Sequence, residues 1–246
     1  MSAVPALPML SVVVSSYGRF KQLQELVESV RIACKLASPY KIFAVCSDPP
    51  DSPKIQWLRQ QDDVHLIHPD VRTGSRVKSL YYYENLGIKL APPGWIFVTN
   101  DDTTLDPGFY ENLLKYDHSY DILSVKAGIS RWFPIIGTLC RVGETCQSPL
   151  YLYDFTVIRR WVYDAVNYLD ENLDWFGKGW DLSLKCEFLA RPKGARIYYD
   201  TDLYVHHSFC HENRSPPECH NDFSYIEKKW DDWCASNPGY HYTCPW

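Results

Sequence analysis

Trp95-Ile-Phe-Val-Thr-Asn-Asp-Asp-Thr-Thr104 is the stretch on which the reading of this 246-residue chain turns. Trp95 to Val98 is a short apolar run, bounded upstream by Pro92-Pro93-Gly94 and downstream by Asp106-Pro107-Gly108. That pattern predicts a buried strand between two turns. The strand runs directly into Asn100, Asp101 and Asp102. In an open parallel sheet, ligands bind at the carboxyl ends of strands, and carboxylates there suit a hard cation that holds phosphate oxygens. An acidic turn with no ligand would read the same way, because Asp and Asn are good turn residues.

Working outward, the upstream segment alternates strands with helices. Leu10 to Val14 is a β-branched run that ends in the turn Ser15-Ser16-Tyr17-Gly18-Arg19. Leu23, Leu26, Val27, Val30, Ala33 and Cys34 recur at helical spacing and predict a helix over 20–36. Lys41 to Cys46 reads as a second strand ending at Asp48, 52–61 as a short helix, and Val64 to Ile67 as a third strand. This order is that of a doubly wound nucleotide-binding half. No Gly-rich phosphate loop follows the first strand, which disfavours an ordinary dinucleotide or P-loop protein. A helix over 76–90 precedes the acidic strand, and a helix from about 107 to 116 follows it. Downstream come a strand at 121–125, an irregular stretch over 126–150, a strand at 155–158 and a helix over 159–167. A loop over 168–179 leads to a helix beginning at Asp181, then to strands at 196–199 and 203–205, the last ending at His206-His207.

Composition narrows the class. Length and apolar content suit a single α/β domain with a sizeable core. The net charge of −5 argues against a nucleic-acid-binding surface. No run of about 18 apolar residues predicts a membrane span. Met1 to Leu10 carries no basic residue and is a poor secretory signal. The nine scattered cysteines then read as reduced thiols, and the expectation is a cytoplasmic protein.

Taken in order, these pieces resemble an inverting glycosyltransferase of the GT-A fold, family-2 type, which uses nucleoside-diphosphate sugars. Leu10 to Arg19 resembles that family's opening strand and turn. Asn85-Leu-Gly-Ile88 and the strand after it resemble the approach to its acidic motif, and Asn100-Asp101-Asp102 stands where the motif lies. Phe155 to Arg160 followed by Tyr168-Leu-Asp-Glu171 resembles the segment before its catalytic loop. Gly179-Trp180-Asp181 is similar to its Gly-Glu-Asp, Val205-His206 to its late strand ending in His, and Tyr225 to Trp230 to its C-terminal Lys-Trp. The likeness covers about residues 10–230. It departs at Asn100, in place of an Asp, and at Trp180, in place of a Glu.

The resemblance implies a Rossmann-like mixed sheet flanked by helices. Residues 1–205 would be the core, with a nucleotide-sugar half over about 1–104 and an acceptor half over about 105–205. Residues 206–246 would be a loop and tail packed on that core. The donor would be a nucleotide sugar, with UDP the expected carrier, and the acceptor a glycan or other hydroxyl compound. Ser15, Tyr17, Arg19, Asp48, Arg76, Asn100 and Asp101 are the candidate nucleotide-binding residues. Tyr17 would flank the base, Asp48 would accept from a pyrimidine ring N–H, and the arginines would approach ribose or phosphate. Asp102 and His206 are the candidate ligands of Mn²⁺ or Mg²⁺, a pairing suited to a cation shared with diphosphate. His207, next in the chain, could take the place of His206.

Asp181 is the candidate general base; an ordinary helix-capping Asp would look alike. Trp175 and Trp180, with Trp132 and Phe133, are candidate acceptor-binding aromatics, or members of the core. The tail over 208–221 is expected to close over bound nucleotide; its Cys210, His211, Cys219 and His220 fit no tight zinc knuckle. A binding module without catalysis, a retaining transferase and a sugar nucleotidyltransferase are the competing readings.

Overall fold

The computed structural model describes residues 7–35, 39–69, 80–128, 155–173, 177–199, 201–208 and 220–240. Arg76, Trp132, Phe133, Trp175 and most of the 208–221 tail, including Cys210, His211 and Cys219, lie outside the described residues.

The first half follows the expected alternation: β1 (Leu10–Ser16), α1 (Phe20–Cys34), β2 (Tyr40–Cys46), α2 (Pro53–Leu58), β3 (Val64–Ile67), α3 (Leu80–Leu90) and β4 (Trp95–Asn100). Ser52 caps α2 through a bond from the Ile55 N–H, and Pro53 opens the helix, the residue pattern that favours a helix start. The chain continues through β5 (Thr103–Leu105), α4 (Phe109–Leu114), β6 (Ile122–Ser124), β7 (Lys126–Gly128), β8 (Thr156–Arg159) and α5 (Arg160–Ala165). It ends with α6 (Lys178–Lys185), a π-helical turn and a 3₁₀ turn over 186–193, β9 (Ile197–Tyr198), β10 (Tyr204–His207) and α7 (His220–Ser236).

Seven strands form a mixed sheet in the order β3-β2-β1-β4-β8-β6-β9, and β5, β10 and β7 form a small second sheet. β1 pairs in parallel with both β2 and β4, whereas β8 runs antiparallel to β4 and β6. The chain winds outward from β1 through β2 to β3, then returns to place β4 on the other side of β1. The strand order reverses there, so the crevice at the carboxyl ends of β1 and β4 is the topological switch point. Ser15 and Asn100 are paired in register there.

Side chains on β1 alternate between two cores, as strand geometry requires. Val12 and Val14 join Leu23, Leu26, Val27 and Val30 of α1 on one face. Val13 joins Tyr81 and Ile88 of α3 on the other, with Trp180, Ile226 and Trp230 in the same cluster. Full burial of each such aliphatic is worth about 1.5–3 kcal/mol. Gly87 lets α3 approach the sheet: a Cβ there would lie 2.5 Å from Val13 Cγ1.

Three expectations change. β5 and β7 are short strands where a turn and an irregular stretch were predicted, because both pair with β10. The C-terminal segment is a helix over much of its length rather than loop and tail. α6 begins three residues before Asp181, so Asp181 lies inside the first turn. Gly177 caps it with φ +81°, and a Cβ there would sit 2.3 Å from Ile226 Cδ1 of α7.

α6 is anchored to α3 by Lys178 Nζ, 3.2 Å from Glu84 Oε1, both buried. Removing one member of such a pair leaves a charge in the interior. Glu84→Gln should therefore destabilise the protein by about 3–5 kcal/mol. The double variant Glu84→Leu with Lys178→Met should recover most of that loss in denaturant titrations.

Candidate active site

The carboxyl ends of β1, β2 and β4 carry the sequence-predicted nucleotide residues other than Arg76, which lies outside the described residues. Ser15 and Ser16 close β1, Tyr17 follows, and Arg19 stands at the head of α1. Asp48 follows β2, and Asn100, Asp101 and Asp102 end β4 and turn toward β5. Tyr17 is 72% exposed, an open ring at the rim of the crevice. Asn100 is half-buried as the last residue of β4.

A continuous run of polar contacts links these strand ends. The Gly18 N–H donates to Asp48 Oδ1 at 3.1 Å. Lys54 Nζ lies 2.5 Å from Asp48 Oδ2 and donates to Ser16 Oγ at 3.1 Å. Ser16 Oγ donates to Asp101 Oδ2 at 2.8 Å. Arg19 Nη1 bridges Asp101 Oδ1 at 3.2 Å and Asp102 Oδ2 at 2.9 Å. His207 Nε2 lies 3.0 Å from Asp102 Oδ1, and Ser208 donates twice to the Asp102 carbonyl, from N–H and Oγ.

The two acids respond differently to this setting. Burial pushes the Asp101 carboxyl above its ordinary range, against the Ser16 hydrogen bond and the Arg19 charge. Burial also opposes the charge on Asp102. There the hydrogen bond and charge of His207, with the charge of Arg19, outweigh it and hold the carboxyl below the usual range. Asp102 is thus the better anion of the pair.

The imidazole against Asp102 is that of His207, the alternative that the sequence left open beside His206. The reason is strand periodicity. Val205 is fully buried, and His207, two residues on, shares its side and packs edge-on against Phe155 at 5.2 Å. His206 lies beside the Tyr204 ring, 5.1 Å between centroids. The pairing of β10 with β5 sets His207 opposite Thr103, next to Asp102.

Among the described residues, no three His, Cys, Asp or Glu side chains form a cluster that could hold a metal alone. The donors at hand are the Asp102 carboxylate and the His207 imidazole, with Asp101 beside them. A small hard cation typically takes one or two carboxylates and completes its shell with water and substrate phosphates. The donor set fits a site of that kind.

Asp181 belongs to a different cluster. It is 2% exposed. Its Oδ1 accepts from Lys229 Nζ at 2.6 Å and from Trp230 Nε1 at 2.9 Å, and its Oδ2 faces Lys185 Nζ at 3.4 Å. Lys229 also donates to Asp170 Oδ2 at 2.6 Å, as does Tyr225 Oη at 3.0 Å. Burial disfavours the Asp170 anion, yet the Lys229 bond and charge bring its carboxyl down to about 2. Asp181 therefore lies under α7 in a compensated charge cluster, where the sequence reading expected a carboxylate facing a cleft. Trp180 is 1% exposed and belongs to the core, so in this structure it offers no face to an acceptor sugar.

Sequence reasoning missed Lys54 and Ser16, and took Lys229 only as part of the C-terminal Lys-Trp motif. For Lys54 a signal existed: Leu58, four residues on, is apolar and falls on the same helix face, and both are buried.

Among the cavities of the described residues, two bear on where the site lies. One of about 180 Å³ is walled by Asp102, His206, His207 and Ser208 with Gln22 and Glu25 of α1. It is smaller than the roughly 300 Å³ at which ligand clefts begin. The other, about 440 Å³, borders Gly94, Asp121, Arg159 and Arg160 at the amino end of β4. Its arginines are already paired with Asp117 and Asp164, and it is remote from the acidic strand end.

No protein-family model and no curated protein sequence matches the chain. Solved structures do. A structure of Staphylococcus aureus TarS superposes with TM-score 0.66 at 15% identity, over 95% of this chain and 40% of that one. The TarS 1-349 structure gives 0.58 at 15% identity, over 80% and 60%. The TarS 1-349 complex with UDP-GlcNAc gives 0.62 at 16% identity, over 90% and 66%. This chain thus spans less than two thirds of each. At these identities the likeness establishes the fold, a GT-A-like α/β glycosyltransferase fold in a single domain, with a seven-stranded mixed main sheet.

Proposed function

We propose that this protein is a cation-assisted glycosyltransferase that moves a sugar from a UDP-sugar to a hydroxyl of a glycan or other acceptor, with inversion. One observation carries the reading. On a fold shared with a protein solved in complex with UDP-GlcNAc, Asp102 and His207 meet at the switch point between β1 and β4.

In this reading Tyr17 flanks the base, Asp48 accepts from its ring N–H, and Asn100 faces the ribose. Asp102 and His207 would hold Mn²⁺ or Mg²⁺, with Asp101 adjoining. When bound, the cation offsets the charge that develops on the diphosphate leaving group. Arg19, which bridges both acids, would turn toward the diphosphate. Asp181 takes the proton of the acceptor hydroxyl as that oxygen attacks the anomeric carbon. Lys229 and Trp230 now cover the Asp181 carboxylate, so α7 must shift as the acceptor enters.

A second reading is supported by the same cover on Asp181 and by Trp180 in place of Glu: a protein that binds nucleotide sugar without turning it over. Release of UDP from a donor in the presence of Mn²⁺ separates the two.

Two variants test the assignments. Asp102→Ala should cut Mn²⁺-dependent release of UDP from the donor by about 10²-fold or more, measured by coupled assay. Asp181→Asn should keep UDP affinity within about threefold while transfer falls by about 10²–10⁴-fold. Transfer at the wild-type rate in Asp181→Asn would refute the base assignment.

A further inference from the structure

Lys54 is a buried cation for which glycosyl transfer has supplied no task. It is 2% exposed, and its ammonium lies between Asp48 Oδ2 at 2.5 Å and Ser16 Oγ at 3.1 Å. Lys is almost never fully buried unless paired. Asp48 is itself buried, and its placement is fixed from three sides. The Gly18 N–H holds one carboxylate oxygen, Lys54 holds the other, and His68 Nε2 contacts the Asp48 carbonyl at 2.7 Å.

We propose that Lys54 is a positioning residue for base recognition: its ammonium holds one oxygen of the Asp48 carboxylate in place, and so sets the preference for uracil over cytosine. The inference rests on the nucleotide-sugar reading and deepens it. The chemistry is specific. Uracil carries a hydrogen on its ring N3, which a carboxylate can accept, whereas N3 of cytosine is a lone pair, which a carboxylate repels. Without the ammonium, one oxygen of the carboxylate loses the charged partner that fixes it. The side chain can then turn from the base, and the preference collapses. Lys54 also holds Ser16, which donates to Asp101. The same ammonium thereby ties the base-reading carboxylate to the acidic end of β4.

The test is titration calorimetry of UDP and CDP at fixed Mn²⁺ with the wild type, Lys54→Met and Asp48→Asn. The wild type should bind UDP at least about tenfold more tightly than CDP, the size of one charged hydrogen bond. Lys54→Met should bring the two within about threefold, chiefly through weaker UDP binding. Asp48→Asn, which keeps Lys54, should lose the preference as well. A merely structural lysine would weaken both nucleotides in parallel and leave their ratio unchanged, and that result would overturn the inference. A wild type that binds UDP and CDP equally would overturn it too. A wild type that binds neither would instead sink the nucleotide-sugar reading itself. Should Lys54→Met fail to fold by circular dichroism, Lys54→Gln gives the same readout in weaker form, since it removes the charged hold on Asp48.

Discussion

Two adjacent carboxylates at the end of one strand must be compensated, and much of the local architecture answers to that need. Asp101 and Asp102 are both largely buried, and uncompensated charges there would be costly. Compensation comes from separate parts of the chain. Arg19 at the head of α1 bridges both acids. Ser16 from β1 and, behind it, Lys54 from α2 serve Asp101. His207 at the end of β10 serves Asp102. Because α1, β1, α2 and β10 each contribute one compensating group, the groups converge only once both sheets and their helices are assembled.

That convergence gives the crevice a preset electrostatic character. Fixed charges and dipoles cost no reorganisation when a charged ligand arrives. Asp102 is held below its usual range and Asp101 is pushed above it, so one acid is ready to meet a cation while its neighbour resists ionising. Adjacent acids in the sequence thus become chemically distinct through their surroundings. A second charge cluster, Asp170, Asp181, Lys185 and Lys229, fastens α7 to α6. There the polar bonds join two helices, and the candidate base is one of the fastened groups.

The first half of the fold was legible in the residues because its signals are local. The β-branched run of β1, the spacing of Leu23, Leu26, Val27 and Val30, and the apolar run of β4 each specify an element within its own length. The acidic strand end was legible for the same reason. What escaped depends on partners far away in sequence. β5 and β7 are three residues each and exist because β10 lies between them. The choice between His206 and His207 turned on strand alternation; Leu203 and Val205, both fully buried, already placed His207 on the inward side. α7 carried Phe223, Ile226, Trp230 and Trp233 at helical spacing, a pattern overshadowed by the Cys and His residues before it. The burial of Asp181 and Trp180 could not be read from Gly177 to Asp181, because the cover comes from α7.

The most direct test is a crystal structure of the protein with UDP and Mn²⁺. The account predicts the diphosphate at the carboxyl ends of β1 and β4, with the cation between it and Asp102 and the uracil beside Asp48. A nucleotide seated at the amino end of β4 near Arg159 and Arg160, or a cation away from Asp102 and His207, would contradict it.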